Sequence, residues 1–206
     1  MLNWKNGVLK MFTDNPCAAG CGRQAVTGGN LCFIHKANPE QEYGRICTYI
    51  ENNKIIKDLS VSGMRFENTD FSARHFYGCN FKDASFINCN FSAVKIRMSF
   101  FDFSTFLKCS FSESDLQFIS FAGASFQTCD FSCSDILHVN FEGTTILESN
   151  FNNSNLYNSR YISADLSNTT FVNCNLKRVY FASSKQANIL FKSSNTAEAI
   201  MEISEQ

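Results

Sequence analysis

The chain has 206 residues, a formal net charge of -1 and a mean hydropathy of -0.16. With 44% hydrophobic residues, 22 Phe and only 18% charged residues, it carries enough apolar surface for a packed core, which excludes a disordered chain. The near-zero charge argues against global electrostatic capture of nucleic acid or a membrane surface, and no apolar run approaches the roughly 20 residues of a membrane span.

The first residues, Met1-Leu2-Asn3-Trp4-Lys5, show no apolar leader core and no small-residue cleavage site. The expectation is a cytoplasmic protein whose ten Cys are reduced thiols or metal ligands. Cys17, Cys21, Cys32 and His35 then read C-x3-C-x10-C-x2-H. Three thiolates and an imidazole at these spacings can close a tetrahedron around Zn²⁺, and four protein ligands leave no open position for catalysis. The motif resembles small bacterial and plant zinc modules, although Asn30 stands before Leu31 where those modules often carry Gly. A structural zinc is expected here, supplying folding energy that so short a segment cannot draw from a core of its own. Cys47 lies outside the motif and reads as a buried thiol.

Asn38-Pro39-Glu40-Gln41-Glu42 is a helix start: an Asn cap, Pro in the first turn, then acids. Tyr43, Ile46, Cys47 and Ile50 come next at helical spacing. They predict a helix over about 39–53 that covers the exposed end of the next segment.

That next segment keeps a clock of five. Stepping by five from Phe66 to Phe191 gives 26 positions, of which 25 are large and apolar, and 17 of the 22 Phe fall on it. The position two before each is small or compact, as at Thr69, Cys79, Ala84, Cys89 and Ser99, and the position just before is often Asn or Asp. A period of five fits neither an α-helix nor a simple alternating strand. It fits short straight segments, each ending in a turn, with two side chains inward and three outward. A second period of twenty is superimposed: residues 71, 91, 111, 131, 151, 171 and 191 are all Phe. Four sides therefore make one coil.

Stretches such as Cys79-Asn80-Phe81-Lys82-Asp83-Ala84-Ser85-Phe86 and Cys129-Asp130-Phe131-Ser132 resemble the pentapeptide-repeat family over residues 59–195. The resemblance implies an all-β, right-handed, four-sided β-helix of about 6.5 coils, roughly 30 Å long at the usual strand spacing. Residues 1–58 form an amino-terminal zinc-knuckle and helix module, and 196–206 a cap or tail. Thr196–Met201 can form a short helix there. The resemblance also implies a homodimer paired through the carboxy-terminal coil. Arg74 in a small-residue slot and Gln186 in a Phe slot mark capped or frayed ends.

No constellation for catalysis is present in the sequence: no glycine-rich phosphate loop, nucleophile elbow or H-E-x-x-H. The expectation is a protein that is not an enzyme. Cys89, Cys109 and Cys129, twenty apart, read as small buried residues in one column, and His75 and His138 read as surface histidines. The outward apolar residues carry more information. Met98 and Phe118 share a column, Phe100 and Phe103 lie past the neighbouring corner, Tyr77, Leu137 and Tyr157 share another column, and Ile87, Leu107 and Leu147 line a different side. Contiguous apolar groups of this kind mark a partner surface, for which Met98, Phe100, Phe103, Phe118, Leu137 and Tyr157 are the candidate residues.

The expected function is a non-catalytic rod that presents one side to a protein partner. Two alternatives stand beside it. The family resemblance implies modulation of DNA gyrase by DNA mimicry, which needs an acidic rod; residues 59–195 hold eleven acidic and eleven basic side chains. Nucleic-acid binding through the zinc module has only seven basic against five acidic residues over 1–58 behind it.

Overall fold

The structure is a computed structural model that describes residues 15–202. The start Met1–Lys5, Phe12 and the last four residues of the tail lie outside that range. Helix α1, Pro39–Asn52, begins where the sequence predicts, with the Gln41 N–H donating to Asn38 Oδ1 at 3.0 Å and Pro39 in the first turn. It buries Ile46 and Ile50 on the first coil, and the Tyr43 ring lies 5.7 Å from that of Phe66.

The remainder is a parallel β-solenoid of about seven turns. Twelve three-residue strands, β1 (Ile55–Lys57) to β12 (Lys185–Ala187), fall into two sheets. One runs β1-β3-β5-β7-β9 and the other β2-β4-β6-β8-β10-β11-β12, every pair parallel and offset by twenty residues, as in Phe86↔Phe106. The two remaining sides are joined by single bridges such as Asn80↔Phe100 and Asp70↔Asn90. Coil pairing begins at β1, which pairs with β3, and Ile56 is a fully buried ladder position.

The clock residues fill the rod. Along one column the rings of Phe71, Phe91, Phe111, Phe131 and Phe151 stack at 4.5–4.7 Å between centroids and within 4° of parallel. Between neighbouring sides the rings meet edge to face, as Phe66 meets Phe71 at 78°. Such pairs add about 0.5–1.5 kcal/mol each beyond their burial. The small slots serve two purposes. Ser104, Ser114 and Ser134 each donate an Oγ–H at 2.8 Å to the carbonyl 23 residues earlier. Cys89, Cys109 and Cys129 make the same contact at 3.5–3.6 Å, so the sulfur column behaves as a set of compact buried donors.

Each corner residue, two after a ladder position, has a positive φ, whether Gly63, Asn68, Met98 or Phe118. A left-handed L-residue costs roughly 1–2 kcal/mol. Backbone bonds between coils offset it, as from Asn68 N to Ile87 O at 2.9 Å.

The amino-terminal end is covered. Arg74 donates from Nε to Ile50 O at 2.7 Å and from Nη2 to Glu51 O at 3.4 Å, closing the free carbonyls at the end of α1. Gln186 is exposed in the last strand. The predicted helix over 196–201 shortens to one 3-10 turn, Thr196–Glu198. The chain then resumes coil pairing, with Phe181 N donating to Ile200 O at 2.8 Å, and that ladder bond outcompetes a further helical turn. No helix among the described residues is long and apolar enough to cross a membrane.

Candidate functional site

The amino-terminal module is built around a hairpin. Pro16 and Gln24 bridge antiparallel, Cys17 N bonds Arg23 O at 2.8 Å, and Gly20 and Gly22 take φ of 71° and 76° to turn the chain between them. This places Cys17 and Cys21 on one side. The 3-10 turn Phe33–His35 then brings His35 back against Cys32, with His35 N bonding Cys32 O at 3.0 Å.

The four predicted ligand atoms converge to within 4.8 Å of one another. Cys21 Sγ and Cys32 Sγ are 3.7 Å apart, and His35 Nδ1 lies 3.4 Å from both Cys17 Sγ and Cys32 Sγ. A tetrahedron with metal–sulfur bonds of about 2.3 Å and a metal–nitrogen bond of about 2.0 Å has edges of roughly 3.5–3.8 Å, so the cage has the size of a Cys₃His metal site. The same separations are far too long for a disulfide of about 2.05 Å.

The backbone prepares the thiols for this. The Cys32 N–H, 3.3 Å from Cys17 Sγ, holds the Cys17 thiol below its ordinary range, and the Arg23 N–H does the same for Cys21. Burial pushes the Cys32 thiol up. Both of these backbone hydrogen bonds favour the thiolate, the form in which thiols bind metal.

The module is fastened to the rod. Thr27 N donates to Ser60 O at 3.1 Å, Ser60 N donates to Thr27 Oγ1 at 2.6 Å, and buried Val26 joins the common core. Arg45 on α1 bonds Thr27 O at 2.6 Å and pairs with Glu42. The ligands therefore stand on a base that also closes one edge of the first coil.

The candidate partner residues occupy adjoining parts of one flank. Met98 and Phe118 are corner residues, 39% and 56% exposed, at one border of the side that contains Phe101 and Phe121. Phe103, 67% exposed, is the corner at its other border. Its ring lies on Gly123, where a Cβ would stand only 2.6 Å from Phe103 Cε1. Phe100 is half-buried on the side between them, with Lys82 Nζ 5.0 Å from its ring centroid. Leu137 and Tyr157 are half-buried around the Phe118 corner. Ile87, Leu107 and Leu147 are half-buried on the opposite sheet and do not join this group.

Sequence reasoning passed over His138. Its ring stacks on Phe118 at 4.9 Å, meets Tyr157 edge-on at 5.7 Å, and its Nδ1 is 2.8 Å from Asn158 Nδ2. The signal was available: His138 is twenty residues after Phe118 and so directly above it. Asp102 was also missed. It is 8% exposed, is paired with Lys82 at 3.0 Å and accepts a hydrogen bond from Ser120 Oγ.

The repeat geometry and the sequence agree on lineage. A family model described as pentapeptide repeats matches eight copies over residues 63–97, 109–146 and 149–185. The chain belongs to the pentapeptide-repeat family.

Solved pentapeptide-repeat structures resemble it at low identity. A trypsin-treated form of QnrB1, a plasmid-mediated fluoroquinolone resistance protein, is 18% identical over 66% of this chain and 91% of that one, with a TM-score of 0.44. HetL, involved in heterocyst differentiation regulation in Nostoc sp. strain PCC 7120, is 12% identical over 76% and 95%, with a TM-score of 0.37. A pentapeptide-repeat protein from the Arabidopsis thaliana thylakoid lumen is 21% identical over 48% and 66%, with a TM-score of 0.31. No curated protein matches the sequence.

Proposed function

We propose that this pentapeptide-repeat protein is a cytoplasmic, non-catalytic interaction rod. One flank, bearing Met98, Phe100, Phe103, Phe118, Leu137 and Tyr157, receives a protein partner. A structural Zn²⁺ held by Cys17, Cys21, Cys32 and His35 fixes the module that covers the first coil.

One observation carries the partner reading. Corner positions adopt the left-handed backbone throughout the rod, and Asn, Asp and Gly are the residues that tolerate it best. Large apolar side chains at exposed corners therefore lose on two counts, backbone strain and exposure. Met98, Phe103 and Phe118 are the three that accept both, in consecutive turns, at the two borders of a single side. The left-handed backbone is common to every corner, so what sets this side apart is large exposed apolar side chains on it, which supports a partner surface. The rod's equal numbers of acidic and basic side chains favour this reading over mimicry of a polyanion.

For the metal, the cage dimensions and the soft donor set support zinc, which would organise the hairpin and the 3-10 turn and leave no coordination position for substrate. The partner reading is tested by quantitative affinity capture from the native cell, comparing the wild-type chain with Phe118→Asn. Asn keeps the corner backbone and removes the ring. Loss of specific captured proteins from the variant, with unchanged thermal melting or better, is the expected result; an identical captured set refutes the surface.

A further inference from the structure

The apolar flank begins close to the place where the chain enters the hairpin. Asn15 N donates to Gln24 Oε1 at 2.9 Å, and Asn15 Nδ2 donates to Gly29 O at 3.0 Å. Gln24 in turn lines one cavity together with Phe100. The fourteen residues before Asn15 are therefore tethered beside the Phe100 end of the flank.

The sequence of those residues is amphipathic. Half of them are large and apolar: Met1, Leu2, Trp4, Val8, Leu9, Met11 and Phe12. At 100° per residue all seven fall within one half of a helical circumference. Asn3, Asn6, Gly7, Lys10, Thr13 and Asp14 fill the other half, and Lys5 is the one polar residue on the apolar side. The polar half holds one basic residue and one acidic residue, whereas helices that lie on anionic membranes are rich in Lys and Arg there. An apolar protein surface suits this segment better than a lipid headgroup layer. The dimensions agree as well. Fourteen helical residues span about 21 Å. The flank runs from Met98 through Phe118 and His138 to Asn158 in one corner column, three coil steps or about 14 Å.

We propose that residues 1–14 dock on the flank of their own rod, over Phe100 and between the corners Met98, Phe118 and Phe103, and that a protein partner displaces them. The docking stands on the flank and the segment alone; the displacement rests on the partner reading above. The tether makes the contact effective without making it strong. A segment joined directly to its site meets it at an effective concentration of about a millimolar or more, so an affinity too weak to hold a free peptide suffices. A contact of that strength shields the apolar corners in the absence of a partner and yields to one. It also lowers the partner's apparent affinity by the fraction of time the flank is covered.

Trp4 is the chain's only Trp, so its fluorescence reports the segment in the full-length protein. In the folded chain its emission should lie to the blue of the urea-unfolded chain, and acrylamide should quench it less. Both readings should be independent of protein concentration. Phe100→Asn combined with Phe118→Asn should move both most of the way to their unfolded values. Asn already stands at 80 and 140 in the Phe100 column and at 158 in the Phe118 column, so the rod accepts it. Leu147→Gln, on the opposite sheet and with Gln127 as its column neighbour, should change neither. A native Trp4 that reads as unfolded overturns the docking, as does a shielded Trp4 that ignores the flank substitutions. Shielding that is lost on dilution assigns the segment to a second copy, and shielding that appears only with anionic vesicles assigns it to a membrane; either overturns the proposal. The displacement is read separately. Trp4→Ser with Phe12→Ser should raise the amount of Phe118-dependent protein captured by up to about tenfold. If Trp4 responds to the flank while capture ignores Phe118, the docking stands and the partner reading falls. If capture needs Phe118 while Trp4 ignores the flank, the partner reading stands and the docking falls.

Discussion

The amino-terminal module and the rod achieve order by opposite means. The rod repeats one weak solution many times: a Phe ring on a Phe ring, a small donor under a carbonyl, a left-handed corner closed by a bond to the next coil. The module uses one strong solution once, four side chains around a single point. Order in the rod is distributed, so damage to it should be graded. Order in the module is concentrated, so damage there should be complete. That contrast can be broken experimentally from either side.

The largest effect is expected at the metal cage. Cys32 is fully buried and its sulfur lies within 3.7 Å of Cys21 Sγ and 3.4 Å of His35 Nδ1. Cys32→Ser, or removal of metal by a chelator, should abolish the order of residues 15–36, because apparent zinc affinities of about 10–16 kcal/mol are folding energy in such modules. Elemental analysis should read about one zinc per wild-type chain and none in the variant. Amide exchange should rise in the module and stay slow in the middle of the rod. Absence of zinc from the wild-type chain, or an unchanged module without it, sinks the metal assignment.

The rod answers with a smaller, graded loss. Phe111 stacks between Phe91 and Phe131 at 4.6 and 4.7 Å and meets Phe106 and Phe121 edge-on. Phe111→Ala should lower stability by about 3–5 kcal/mol through lost burial and a cavity. Denaturant melts should report that value with the coil otherwise intact. A loss below about 1 kcal/mol would mean the ladder collapses around the gap.

A gain smaller than that loss is expected at Tyr161. It occupies a Phe position, stacked on Phe141 at 4.7 Å and on Phe181 at 5.1 Å, and its hydroxyl is fully buried with no hydrogen-bond partner among the described residues. Burial pushes the phenol well above its ordinary pKa, so it stays neutral and still lacks a hydrogen bond. Tyr161→Phe should stabilise the rod by about 1–2 kcal/mol, the usual desolvation cost of an unpaired hydroxyl. A loss on thermal melting would show that the hydroxyl has a partner.

The same contrast explains what the sequence made legible. A five-residue clock is a local pattern repeated with no insertion, so the inward columns, the four sides and the stacking of Phe71 on Phe91 follow from position alone. The Cys₃His group was equally readable, because Cys17, Cys21, Cys32 and His35 lie close together in the chain. The features that stayed hidden depend on contacts between non-periodic parts. Ile56 and Val61 extend the ladder without Phe to announce it. Arg74 breaks the small-residue rule for a reason that lies 24 residues earlier, at the carbonyl of Ile50. The pocket lined jointly by Gly22, Arg23 and Gln24 of the hairpin and by Asp58, Ser60 and Asn80 of the first coils joins segments that do not resemble each other, and no spacing encodes that meeting.

The smallest stability change tests the partner flank, and its sign matters more than its size. If Phe118 were there for the fold, its loss would destabilise the rod. Its ring is 56% exposed, stacks on His138, and sits at φ 54°, where Asn is better tolerated than an aromatic residue. Phe118→Asn should therefore hold or raise stability by a few tenths to about 1 kcal/mol, partly by relieving the corner. The neighbouring corner offers an internal control, because Asn158, two turns further along the same column, already has this residue at φ 58°. A more stable variant that no longer retains its partner is the combination that only a functional residue produces. A destabilised variant that binds as before would return Phe118 to the architecture, and the strained corners would then have to be explained by packing on His138 alone.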